Sequence, residues 1–121
     1  MGTFIPVTDF VMRRWNLAHY PGDQAPPHRH DRSDEGFVVL RGRLEVLVGA
    51  ERRILRQGDH VTIPAGTTHT FATVDSEGAD VIAVMTPEVD QLVTALHAAA
   101  TDEERAAVWE RYNSALAPAD R

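Results

Sequence analysis

Between Thr8 and Met85 the chain is cut into short runs by turn-forming residues, which leaves room for strands but not for long helices. Phe10 to Tyr20 ends at Pro21-Gly22, Pro27 to Asp31 is a short extended piece, and Glu35 to Arg41 stops at Gly42. Arg43 to Val48 and Arg52 to Leu55 follow, the latter ending before Gln57-Gly58-Asp59. His60 to Ile63 runs into Pro64-Ala65-Gly66, and His69 to Val74 and Ala79 to Met85 complete the series. Leu44, Val46 and Val48 alternate with Arg43, Glu45 and Leu47, the period of a strand with one face buried. Many short strands with Gly and Pro punctuation predict an all-β sandwich or closed barrel.

The period changes after Pro87. Val89, Leu92, Val93 and Leu96 share one helix face. Thr101-Asp102-Glu103-Glu104 is a capping box, in which the Thr oxygen and the Glu carboxylate satisfy open backbone donors. It predicts a second helix to about Leu116, with Val108, Trp109, Tyr112 and Leu116 on its apolar face and Pro118 ending it. A barrel over residues 1–87 with a helical extension over 88–121 is the expected domain. The tail either packs against the barrel or covers its mouth or a dimer partner.

Composition removes several function classes. The 121 residues carry 18 acidic and 12 basic side chains, a formal charge of −6, which disfavours phosphate backbones and anionic lipids. All the basic residues are Arg, so Schiff-base and lysine-base chemistry are excluded. There is no Cys, hence no disulfide, thiolate nucleophile or sulfur ligand. Met1 to Asp9 has no basic segment followed by an apolar run, and no stretch approaches the roughly 20 apolar residues that span a bilayer. A cytoplasmic protein without nucleic-acid or membrane partners is expected. The abundance of Ala and Arg without Lys suggests a high-GC bacterial gene.

The residues that carry chemistry are histidines. His28 and His30 are two apart, so in an extended segment both point to one face, and Pro26-Pro27 stiffens that segment. Asp31 to Asp34 is a polar turn from which Glu35 can return to the same point. His69, after the rigid turn Pro64-Ala65-Gly66, delivers a third imidazole. Three neutral nitrogens and a carboxylate suit one divalent transition metal (Fe, Ni, Mn, Cu or Zn) better than calcium or magnesium. His60 is expected to face outward and His97 to lie on the tail's surface.

The spacing Gly22-x5-His28-x-His30-x4-Glu35-x6-Gly42, followed by Gly58-x5-Pro64-x-Gly66-x2-His69, resembles the two motifs of the cupin superfamily. The resemblance covers about residues 10 to 87. It implies a double-stranded β-helix, or jelly-roll, barrel with His28, His30, Glu35 and His69 as metal ligands, and a homodimer paired through barrel edges. Thr73 stands where the second motif usually has Asn, a position that is not a ligand in the family.

If Glu35 faces the cavity, so do Phe37 and Val39, and if His69 does, so do Phe71 and Thr73. The plainer reading of these residues is core. A cavity lined by them suits a small, largely apolar or aromatic substrate whose oxygens meet the metal. The resemblance to quercetinase-type dioxygenases implies an oxygenase, with Glu35 as ligand or general base. Alternatives are a nonredox isomerase or cyclase, like polyketide-cyclase-like cupins, and a non-catalytic binding or accessory module.

Overall fold

The computed structural model describes residues 9–118; the start of the expected barrel segment and the last residues of the extension lie outside them. Eight strands come first: β1 (Val11–Leu17), β2 (His28–His30), β3 (Glu35–Arg41), β4 (Leu44–Val48), β5 (Glu51–Leu55), β6 (His60–Ile63), β7 (His69–Thr73) and β8 (Ala79–Met85). Two helices follow, α1 (Pro87–Ala98) and α2 (Asp102–Arg111), and then a short strand β9 (Ser114–Leu116). The strands form two antiparallel sheets, ordered β1-β8-β3-β6 and β5-β4-β7-β2-β9. The all-β jelly-roll architecture expected from the sequence is the one observed.

Period-two alternation decides which side chains fill the space between the sheets. Glu35, Phe37 and Val39 on β3, Leu44 and Val46 on β4, and Val81, Ala83 and Met85 on β8 are all buried. Trp15 from β1 closes this layer, its ring 6.1 Å from those of both Phe37 and Phe71. Such aromatic contacts add about 0.5–1.5 kcal/mol each beyond area burial. Where strands cross closely, side chains are excluded. Gly78 has φ +77°, and a Cβ there would stand 2.0 Å from the Leu17 carbonyl oxygen. Gly42, at φ +78°, packs against Gly78 in the same way, since a Cβ there would stand 2.5 Å from the Gly78 carbonyl oxygen. The last glycine of the first motif is therefore a packing requirement of the barrel corner.

Pro87 does more than close β8. It opens α1, whose N-cap Thr86 accepts a hydrogen bond from the Val89 amide at 3.2 Å. Pro is favoured at this position because its missing N–H would have no partner there. Val89 and Leu92 from α1 are buried at the end of the barrel.

The second helix is shorter than the sequence predicts. It ends at Arg111, and Asn113 adopts φ +54°, a left-handed conformation that Asn tolerates and that stops a helix. Ser114 to Leu116 then pairs antiparallel with β2, in the register His28 with Leu116, Arg29 with Ala115 and His30 with Ser114. Leu116 is thus an exposed strand residue and not part of an apolar helix face. No helix among the described residues is long and apolar enough to cross a membrane.

On the outer face of the first sheet, Asp80 is only 5% exposed and gathers three donors. Arg41 Nε and Arg14 Nη2 each donate at 3.1 Å, and Asn16 Nδ2 also donates. Arg41 first, then Asn16 and Arg14, hold the Asp80 carboxyl below its ordinary value. A depressed folded-state value contributes stability that is present above the unfolded carboxyl value, about 3.9, and is lost as the pH falls through the folded value. Asp80→Asn is expected to lower Tm at pH 7 and to flatten the acid limb of the stability profile. Equal Tm values for variant and wild type from pH 7 to pH 3 would contradict this role.

Candidate metal centre

His28 and His30 occupy the two buried positions of β2, Glu35 is the first residue of β3 and His69 the first of β7. Antiparallel pairing sets His28 opposite His69. Two turns fix the approach: Gly66 N donates to His30 O at 2.8 Å, and Ala65 N donates to Asp34 Oδ1 at 2.8 Å. The Pro64-Ala65-Gly66 turn that precedes His69 is thereby tied to the strand and the turn that carry the other three residues.

The four side chains converge. Their candidate donor atoms all lie within 4.8 Å of one another, and each residue is buried, between 1% and 7% exposed. Donors about 2.0–2.2 Å from a common ion stand about 3–4 Å apart, so little adjustment separates this cluster from a coordination sphere. The rings of His28 and His69 are 4.3 Å apart, centre to centre, and His30 is 5.0 Å from each.

Each imidazole is held by its Nδ1. His28 donates to the Pro26 carbonyl at 2.7 Å and His69 to the Thr67 carbonyl at 3.0 Å. His30 Nδ1 meets Ser114 Oγ at 2.8 Å. With Nδ1 turned outward, each Nε2 faces the common centre, which is how partners beyond the ligands orient imidazoles toward a metal. His69 Nε2 lies 2.9 Å from Glu35 Oε1. His30 Nε2 lies 3.5 Å from the same oxygen and is buried without a hydrogen-bond partner. A buried orphan nitrogen costs about 1–3 kcal/mol, and one aimed into three other donors fits an ion.

For two of the donors, His28 and Glu35, the surroundings favour the ligating form. Burial, reinforced by His69, lowers His28 to about 4, so its ring is neutral near pH 7. Burial alone would raise Glu35, but the facing imidazoles of His30 and His69 outweigh it and bring the carboxyl down to about 2. The donor set of three imidazoles and one ionised carboxylate fits a divalent transition ion, and this buried cluster suggests a metal ion without fixing which.

The other residues singled out in the sequence sort differently. Phe37, Val39 and Phe71 belong to the packed core, against which Trp15 packs. The Thr73 hydroxyl is engaged by His19 Nδ1 at 3.1 Å and accepts from the Tyr20 amide at 3.2 Å. His60 and His97 are exposed. Two residues of the tail do reach the cluster. Trp109 sets its ring 5.1 Å from that of His28, and Ser114 holds His30. Asn113, a helix-stopping residue, was the signal in the sequence that the chain turns back here.

A family model of the Cupin domain matches residues 18–85, more than half of the chain. The chain belongs to the cupin family. This cupin is 46% identical over 50 residues to a quercetin 2,3-dioxygenase of Bacillus subtilis, a match covering 41% of the cupin and 15% of the dioxygenase. It is 34% identical over 67 residues to the polyketide synthase CurC of Streptomyces cyaneus, covering 55% of the cupin and 44% of CurC. The cupin thus spans less than half the length of either relative. Among solved structures it resembles TT1209 from Thermus thermophilus, with a TM-score of 0.58 and 25% identity over 69% of the cupin and 77% of that chain.

His69→Ala is expected to leave a cooperatively folding barrel that copurifies with little transition metal. Metal weakening should exceed the roughly 10–100-fold loss typical when a ligand's outer partner is removed. Elemental analysis showing one ion per chain in this variant would refute a four-residue centre.

Proposed function

We propose that this cupin is a metal-dependent oxygenase acting on a small, largely apolar or aromatic metabolite that carries oxygen. The observation that carries the reading is the orphaned His30 Nε2, aimed with two other imidazoles and the ionised Glu35 at one buried point. The similarity to quercetin 2,3-dioxygenase supports the redox form of the reading, since nearly half of the residues in the matched stretch are identical.

A divalent transition ion held by His28, His30, Glu35 and His69 would supply a Lewis-acidic, redox-capable position for a substrate oxygen and O2. The chain's own contribution is to hold and to exclude. The Nδ1 bonds to Pro26, Thr67 and Ser114 fix the three rings before anything binds. Phe37 and Phe71, two residues along their strands from Glu35 and His69, pack with Trp15 into an apolar wall, and apolar surroundings strengthen the polar interactions of the centre. Glu35, ionised at neutral pH, would serve as ligand or, when released from the ion, as the base that takes a phenol or enol proton. The longer match to a polyketide synthase favours a second reading, nonredox proton transfer on a polyketide-like carbonyl compound.

Oxygen dependence separates the two. With phenolic and β-diketone substrates, turnover by the metal-loaded protein is expected to fall to background under anaerobic conditions. Undiminished anaerobic turnover would overturn the oxygenase reading in favour of the cyclase or isomerase.

We also propose that the protein works as a homodimer. Met12 and Phe10 are 64% and 70% exposed beside Val84, Ile82 and Val38 on the outer face of the first sheet, an apolar stripe suited to a second copy. Light scattering at micromolar concentration should give twice the chain mass, and a monomer would refute it.

A further inference from the structure

Two of the three imidazoles are held by local acceptors: His28 by the carbonyl of residue 26 and His69 by that of residue 67. His30 is different. Its Nδ1 partner, Ser114 Oγ, comes from 84 positions along the chain. We propose that Ser114 is the positioning residue for His30, which makes β9 a working part of the metal centre. The proposal rests on the metal-centre reading above.

The direction of the hydrogen bonds carries the argument. Ser114 is 5% exposed, and its hydroxyl donates to the Tyr112 carbonyl at 3.2 Å. With that proton committed, Oγ is left as an acceptor toward His30. His30 therefore carries its hydrogen on Nδ1 and a bare lone pair on Nε2, the atom without a partner. The relay runs from His30 N–H to Ser114 O–H to the Tyr112 carbonyl, and it selects the tautomer that can ligate.

The backbone holds Ser114 in register. Asp31 N donates to Asn113 O at 2.8 Å on one side of the pair, and Ala117 N donates to Pro27 O at 2.9 Å on the other. The turn is also anchored through side chains. Asn113 Nδ2 donates to Glu88 Oε2 at 3.0 Å, and Arg32 Nη2 donates to the same oxygen at 2.7 Å. Glu88 thus ties α1 to the turn before β9 and to the loop after His30. Trp109 packs on His28 from the same tail. Both β2 imidazoles are braced by residues beyond the barrel motifs.

The test uses the full chain and has two readouts. Nitrogen-15 NMR of the histidine-labelled, metal-free protein should show His30 protonated on Nδ1 in the wild type and a tautomer mixture in Ser114→Ala. Co2+ affinity, measured by chelator competition, should fall about 10–100-fold in Ser114→Ala and be largely restored in Ser114→Thr, which keeps a hydroxyl. Wild-type affinity and an unchanged His30 tautomer in Ser114→Ala would overturn the proposal, as would a loss that Thr does not restore. If Ser114→Ala does not fold, the wild-type spectrum decides, since a His30 proton on Nε2 contradicts the relay. Absence of Co2+ binding by the wild type would sink the metal reading, while the tautomer would still judge Ser114.

Discussion

Everything in this barrel is arranged around the burial of three imidazoles and a carboxylate in one place. Polar groups taken from water cost several kcal/mol each when unpartnered. The fold answers by giving every ring an Nδ1 acceptor and by opposing the carboxylate to two imidazoles. One nitrogen, His30 Nε2, is left over. The rest of the structure can be understood as what is needed to bring β2, β3 and β7 to that point and keep water out. A single residue on the wrong side of any of these strands would turn its donor outward, because side-chain direction alternates at each position.

That alternation is why so much was legible. His28 and His30 share a face for the same reason that Glu35, Phe37 and Val39 do, and short runs ending in Gly or Pro marked the strands that carry them. The convergence of the four side chains follows from these local rules plus the turn before His69. The filling of the barrel was less legible. Period two shows that Phe37, Val39 and Phe71 face inward, but whether they line a space or close it depends on Trp15, which arrives from β1, two strands from β3 in the same sheet, and stacks on Phe71 of the other sheet.

The tail shows where pattern reading fails. Val108, Trp109, Tyr112 and Leu116 fit a helical face, and the helix period has no way to register a backbone reversal inside it. Asn113 in the left-handed region ends the helix, and pairing with β2 outweighs the local propensity of a three-residue segment. In the sequence Ser114 is one polar residue among others, with no motif around it. Its role depends on a partner far away in sequence, which no local period encodes.

The distance between His30 and Ser114 has a consequence in time. Chains emerge from the ribosome in order and begin to fold before synthesis is complete. His28, His30, Glu35 and His69 all precede residue 114 in the chain, so the edge of β2 stays open and the His30 ring lacks its distal acceptor until β9 is available. Closing so long a loop is slow relative to local structure. The four ligands and the strand that braces them lie far apart along the chain, and the centre is complete only when β9 has paired with β2.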